Sequence, residues 1–317
     1  MKNSVAERQA LKKMIAPGTV RKGMVWGAGG VIQVHVTRAC DRACFHCTQG
    51  SNLGGKPVMI TPEDFETAVV SLKDYWGVVG VFGGNPAIHP QFELLCEILR
   101  EHIPFKRRGL WCNHPLGKGA IMRRTFNPKV CNLNVHANQE AWDEFVRDWP
   151  ESEDRLKGLE ESRHSPPYVA MKDVIEDENQ RWKLIQNCDI NKYWSAMICH
   201  VPGKGLRAFF CEIAGAMAML HANDESWPDY GHPVVNGWWC APMSRFADQA
   251  RFYCHNCGIP LRRFGQLEQS GEFEEVSQTH LDIYKPKAKD RSVQLVTLDT
   301  GRRLEKVTDY IDNGHLK

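Results

Sequence analysis

Val31-Ile32-Gln33-Val34-His35-Val36 runs through Thr37-Arg38-Ala39 into Cys40-Asp41-Arg42-Ala43-Cys44-Phe45-His46-Cys47. The first six residues are an apolar, β-branched run that reads as a strand, and three cysteines follow in the loop leaving it. Downstream, Thr61-Pro62-Glu63-Asp64 is a helix start with Thr61 as N-cap and Pro62 at the first helical position, and the helix is expected to run to about Lys73. Gly77 to Phe82 is a short buried strand closed by Gly83-Gly84. Next come a helix near Gln91 to His102, strands near Gly109 to Cys112 and Cys131 to His136, and a helix from about Glu140. Tyr168 to Val174 and Tyr193 to Cys199 are two further strand candidates. Strands alternating with helices imply a parallel sheet, here an α/β fold forming a partial (β/α)6 or full β/α barrel with its chemistry at the strands' C-terminal ends. The cysteine loop falls at that end.

From about Arg207 the alternation stops, Gly and aromatic content rise, and cysteines regroup. The expected organisation is an N-terminal extension over 1–30, a barrel core over 31–206 and a smaller irregular metal-binding region over 207–317. The last part is expected to hold a strand from about Val293 and a turn at Asp299-Thr300-Gly301. Gly27-Ala28-Gly29-Gly30 precedes its strand, so it is not a dinucleotide-binding loop.

Twelve cysteines in a chain without an apolar signal core point to metal or catalysis before disulfides. The C-x3-C-x2-C spacing supplies three soft thiolates, which suit three irons of a cubane and leave the fourth open. Zinc would need a fourth ligand, for which His35 and His46 are the nearby candidates. The triplet, with His46 before the last cysteine, resembles the signature of the radical S-adenosylmethionine (radical SAM) superfamily. That resemblance implies a 4Fe-4S cluster on Cys40, Cys44 and Cys47 and S-adenosylmethionine chelated to the open iron. One electron then cleaves the cofactor to a 5'-deoxyadenosyl radical that abstracts hydrogen from a substrate carbon. Gly83-Gly84-Asn85-Pro86 resembles the Gly-Gly-Glu-Pro-like segment whose backbone receives the cofactor's ammonium group, with Asn85 in place of the acid. In register with the family's later strands, Asn113, and Asn134 with His136, are expected at the carboxylate or ribose; His46 completes the cofactor set.

Cys254-His255-Asn256-Cys257 is a C-x2-C knuckle that needs two more ligands. Cys211 and Cys240 are the expected partners, with Cys199 a substitute for Cys211. The set Cys211, Cys240, Cys254 and Cys257 resembles the twitch form of the SPASM-type auxiliary domain, which implies a second 4Fe-4S cluster; a structural zinc is the alternative. Cys96 reads as core, and Cys131 and Cys188 receive no role.

Hydrophobic residues make up 42% and charged residues 25% of the 317, as in ordinary globular proteins. No run reaches the roughly 18 apolar residues that span a bilayer, so the expectation is a cytoplasmic protein with no membrane partner. A net charge of +2 is too small to imply nucleic-acid binding by itself, although Lys106-Arg107-Arg108, Arg123-Arg124 and Arg262-Arg263 are basic and ten tryptophans could stack on bases. The family resemblance implies an electron donor such as flavodoxin or ferredoxin. A nucleotide, a modified nucleic-acid base or a sugar is the expected substrate. The alternatives are a peptide-modifying enzyme, which the absence of a sizeable domain before residue 31 weighs against, and a non-catalytic zinc- or cluster-stabilised nucleic-acid-binding protein.

Overall fold

The structure, a computed structural model, describes residues 4–20, 22–23, 30–51, 53–261, 265–284 and 292–298. Gly27 to Gly29, the Arg262-Arg263 cluster and the turn at Asp299-Thr300-Gly301 lie outside the described residues.

Eight strands form one sheet. They are β1 (Val31–Thr37), β2 (Val78–Gly83), β3 (Arg108–Cys112), β4 (Asn132–Asn134), β5 (Leu156–Lys157), β7 (Ala196–Val201), β8 (Gly205–Phe209) and β9 (His232–Pro233), in the order β5-β4-β3-β2-β1-β7-β8-β9. β1 to β5 and β7 are parallel, and β8 and β9 extend that edge antiparallel. Since β5 and β9 have no ladder to each other among the described residues, the sheet is open, and the partial barrel is realised instead of the full one. Two small ladders lie apart: β6 (Arg163–His164) with β10 (Gln266–Leu267), and β11 (Phe273–Val276) with β12 (Ser292–Leu295).

β1 is buried at all seven positions, as expected of a central parallel strand covered on both faces. The connecting helices are α2 (Pro62–Ser71), α3 (Phe92–His102), α4 (Gly119–Thr125) and α5 (Gln139–Asp148), after an N-terminal α1 (Val5–Lys13). Thr61 caps α2 by accepting from the Asp64 N–H at 3.1 Å. On α3, Phe92, Leu95, Cys96 and Leu99 are buried at helical spacing, so Cys96 is a core residue. Phe65 of α2 is fully buried, which contributes about 1.5–3 kcal/mol.

Tyr168 to Val174 is not a strand. It forms a turn and then the short α6 (Met171–Val174), because the Ala170 N–H is taken by the Ser277 hydroxyl at 2.8 Å rather than by a sheet neighbour. The second strand candidate lies slightly later than its sequence suggests, as β7, after α7 (Glu178–Gln186) and α8 (Asp189–Tyr193). The boundary drawn at 206/207 falls inside β8, so the main sheet continues across it. No helix among the described residues is long and apolar enough to cross a membrane.

β2 leaves the sheet in contact with the exit of β1. A Cβ on Gly83 would meet the Thr37 carbonyl oxygen at 2.3 Å, and one on Gly84 the Ala39 carbonyl oxygen at 2.3 Å. Gly84→Ala is therefore expected to destabilise the protein by about 1–3 kcal/mol, as overpacking against rigid backbone does. Gly55→Ala, where a Cβ meets nothing within 4 Å, should stay within about 0.5 kcal/mol. Urea midpoints of the anaerobic proteins measure both, and equal midpoints would refute the packing argument.

Candidate active site and cysteine centres

The parallel strands end along one edge, and the three-cysteine loop lies across it. Cys40, Cys44 and Cys47 are half-buried thiols. The Arg42 N–H donates to Cys40 Sγ at 3.4 Å and the Gln269 side-chain amide to Cys44 Sγ at 2.9 Å. Burial pushes the Cys40 thiol up to about 12 and raises Cys44 further, with neighbouring Cys47 adding to both. The three sulfurs thus sit close enough to oppose one another's ionisation. A bound cation reverses that balance, because thiolates become its ligands, so the triplet fits a three-thiolate metal site.

Gly83 and Gly84 bring β2 onto this loop through backbone bonds, Gly84 N–H to Thr37 O and Asn85 N–H to Ala39 O, each 2.7 Å. Asn85 is fully buried and caps the turn that begins at Pro86. Its amide donates to Asp41 Oδ1 at 2.8 Å and to the His114 carbonyl at 3.0 Å. Its oxygen accepts from the Ala87 N–H at 3.2 Å and faces the Cys112 thiol at 3.2 Å. Asn113 joins the same network, donating to Asp41 Oδ1 at 3.0 Å. Burial alone would raise the Asp41 carboxyl, but the hydrogen bonds from Asn113 and Asn85 outweigh it and hold the group below its ordinary value. His114, which sequence reasoning did not single out, bridges Asp41 at 3.2 Å and Glu144 at 3.0 Å.

The other expected cofactor residues have different surroundings. The Asn134 side-chain oxygen accepts from the His136 N–H at 3.3 Å. His136 has a left-handed backbone, φ +48°, and its carbonyl accepts from Arg42 Nη2 at 2.7 Å. Its ring is aimed at Glu268, 2.7 Å away. His46 is fully buried and acts as a clip: Nε2 accepts from the Glu275 N–H at 2.9 Å and Nδ1 meets the His164 carbonyl at 3.1 Å. Its own N–H donates to Glu274 at 2.8 Å. His35, buried against the Phe82 ring within β1, is held down to about 3 by burial and by Arg38.

The second cysteine set differs from the expected one in one member. A cavity is lined by Cys188, Cys211, Cys254 and Cys257 with Phe210 and Asn191. Cys240 is exposed and is not part of its wall. Cys199 is buried in β7 near the Gly215 carbonyl and is also absent from the wall. Cys188 lines the cavity because β7 and β8 form a hairpin that returns the chain: Cys188 precedes α8 on the way in, and Cys211 caps α9 (Glu212–Leu220) on the way out. Cys254 and Cys257 leave a single π-turn, Ala250–Cys254.

Lys22 is fully buried beside this cavity. Its ammonium donates to the Asn191 carbonyl at 2.9 Å and lies 5.6 Å from the centre of the Phe210 ring. Burial lowers its pKa, and the Cys211, Cys188 and Cys254 sulfurs oppose that as anions. A buried ammonium with one carbonyl acceptor calls for negative charge nearby, which a metal held by four thiolates supplies. The four cysteines therefore fit a metal centre whose negative charge Lys22 offsets in part.

Arg107, Arg108 and Arg123 of the described basic clusters are occupied structurally. Arg107 donates to the Lys73 carbonyl, Arg108 to the Ile103 and Arg100 carbonyls, and Arg123 pairs with Glu151. Among the described residues, Trp76 is the exposed tryptophan, whereas Trp149, Trp182, Trp227 and Trp238 are buried.

Residues 34–165 match the sequence profile of the Radical SAM superfamily. No curated protein matches the chain. Among solved structures, the crystal structure of BtrN in complex with AdoMet and 2-DOIA is similar at 13% identity and a TM-score of 0.43, over 72% of this chain and 92% of that one. The matched stretch begins within β1, contains all three cysteines of the loop and ends just beyond β6. The chain thus resembles the radical SAM superfamily over residues 34–165, the stretch that holds the three-cysteine loop.

Proposed function

We propose that Cys40, Cys44 and Cys47 hold a 4Fe-4S cluster with S-adenosylmethionine at its open iron, and that the enzyme abstracts hydrogen from a small polar substrate. The observation that carries this reading is the loop itself: three half-buried thiols at the C-terminal edge of a parallel sheet, with N–H donors already directed at two of the sulfurs. When bound, the cluster and cofactor supply reductive cleavage to a 5'-deoxyadenosyl radical, with the electron from a donor of the flavodoxin or ferredoxin kind. The chain's residues orient and shield. The backbone of Gly83, Gly84 and Pro86 offers carbonyls for the cofactor's ammonium group, and Asn85 fixes the loop through Asp41. Asn113 and Asn134, at the ends of β3 and β4, are the amides assigned to its carboxylate or ribose. His46 serves as the clip that seats the loop.

A nucleotide- or sugar-like small molecule suits an edge lined by Asp41, His114, Glu144 and His136. The buried tryptophans and carbonyl-bound arginines argue against a nucleic-acid platform. The auxiliary centre is assigned to Cys188, Cys211, Cys254 and Cys257, with Lys22 compensating its charge.

Replacing Cys40, Cys44 and Cys47 together with Ala should remove about four irons per chain and abolish 5'-deoxyadenosine formation from S-adenosylmethionine, which in the wild type requires dithionite. Unchanged iron content or reductant-independent cleavage would overturn the assignment. In that triple variant, Cys188→Ala should release the remaining metal and Cys240→Ala should not; metal and sulfide analysis decides, and zinc in place of iron would keep the ligand set and reject an auxiliary cluster. Lys22→Met, against Lys22→Arg, should make the auxiliary centre harder to reduce by about tenfold, about 59 mV for one electron. Potentiometric EPR of the triple-variant background reads this directly, and an unshifted midpoint would refute the compensation.

A further inference from the structure

Beside the three-cysteine loop lies a set of donors that the cluster does not use. We propose that His136, His164 and Glu268 form a binding site for one divalent first-row metal ion, with two imidazole nitrogens and one carboxylate oxygen as ligands. The three residues come from segments far apart in sequence: His136 follows β4, His164 ends β6 and Glu268 follows β10. Glu268 Oε2 lies 2.7 Å from His136 Nδ1, and Oε1 lies 2.6 Å from His164 Nε2. One donor atom from each falls within 4.8 Å of the other two.

Two imidazoles and a carboxylate are the mixed set that first-row divalent ions accept, and a facial arrangement leaves further positions open. With bonds of about 2.0–2.2 Å, neighbouring ligands stand about 3 Å apart, so the present spacing needs to open by a few tenths of an ångström. The imidazole planes are nearly perpendicular, at 85°, with ring centroids 6.2 Å apart. They approach the carboxylate from two directions instead of stacking on each other.

Access runs in one direction. The side chain of Glu268 is 1% exposed, against 20% for His136 and 14% for His164, so the carboxylate forms the floor and the imidazoles the open side. The floor is held in place by further bonds: the Ser162 hydroxyl donates to Glu268 Oε1, and the Glu268 N–H donates to the Ser162 carbonyl at 2.9 Å. Such second partners orient a ligand and sharpen its affinity. The Glu268 carbonyl accepts from the Phe45 N–H at 2.9 Å, and the His136 carbonyl from Arg42. The site is therefore fastened to the cysteine loop on both sides of Cys44. An ion there would present its open positions to an oxygen donor of the substrate, a hydroxyl, carbonyl or phosphate. Lys157 also faces Glu268 electrostatically, so the competing arrangement is a metal-free ion-pair network in which Glu268 balances Lys157 and the imidazoles.

Titration of the anaerobically reconstituted full-length protein with Mn(II) separates the two. The free ion is followed by its room-temperature EPR signal, to which iron-sulfur clusters do not contribute, and thiolates are poor ligands for so hard an ion. The expected result is saturable uptake of one Mn(II) per chain, displaced by Zn(II). It should weaken at least tenfold in His136→Gln and in Glu268→Gln and be retained in His102→Gln, a surface histidine paired with Glu66. Iron content and circular dichroism of His136→Gln, whose ring is the most exposed of the three, verify that the loop remains folded if Glu268→Gln does not. The readout needs no turnover, so it stands or falls apart from the radical chemistry. No saturable uptake by the wild type, or uptake unaffected by the substitutions, would leave only the ion-pair network.

Discussion

Main chain passes against main chain where β1 and β2 leave the sheet, and the position of the cysteine loop follows from that contact. The Gly84 and Asn85 N–H groups each reach a carbonyl of the β1 exit at 2.7 Å, with no room for a Cβ on either glycine. Two strong backbone bonds in a buried place tolerate little displacement, because breaking one leaves an unsatisfied polar group costing about 1–3 kcal/mol. The carbonyls they fix belong to Thr37 and Ala39, so the chain direction entering Cys40 is set before any metal arrives. Asn85 extends the constraint by binding Asp41, the residue after Cys40. Where the resemblance led to an acid at position 85, an amide serves this purpose better: it donates to one partner and accepts from another, which a carboxylate cannot do.

The two cysteine groups are joined through the protein. Gln49, two residues after Cys47, donates to Glu212 at 3.3 Å, and Glu212 follows Cys211. Glu212 is fully buried, and burial raises its carboxyl to about 7 despite the hydrogen bond from Ser195. The Tyr168 hydroxyl reaches toward the Thr48 carbonyl at 3.4 Å from the other side. Lys22 closes the arrangement from the N-terminal side, placing a buried ammonium beside Cys211, Cys188 and Cys254.

The parts of the sequence that could be read were those governed by local rules. β1, β2 and β3 are apolar runs at the lengths strands take, and Thr61-Pro62 starts its helix as capping chemistry dictates. The three-cysteine loop was legible because its cysteines are neighbours in sequence. Tyr168 to Val174 was misread because its apolar Val169 and Val174 pack in a cluster with the distant Val296, while the Ala170 N–H goes to the Ser277 hydroxyl rather than to a ladder. Cys188 was missed for a related reason: its partner Cys211 is reached only after a hairpin, so their proximity is a tertiary fact that spacing does not encode. Cys240, in a Gly- and Trp-rich stretch that looked like a metal knuckle, is an exposed residue ending a short 3-10 turn.

Residues 34–165 supply the cysteines but only part of the groups that hold them. Cys44 receives its amide donor from Gln269, Phe45 donates to Glu268, and the His46 ring is fixed by the Glu275 N–H. All three partners lie in 265–284, a stretch whose only regular pieces are the short β10 and β11 and isolated helical turns. A segment with so little secondary structure of its own is ordered chiefly by these tertiary bonds, and its folding is coupled to the loop it covers. Glu268 makes the dependence mutual: its backbone supports the cysteine loop, while its carboxylate draws His136 and His164 together from the sheet edge and the β6 ladder. The active edge is thus a composite of two regions that were separable on paper, and the chemistry of the first depends on residues contributed by the second.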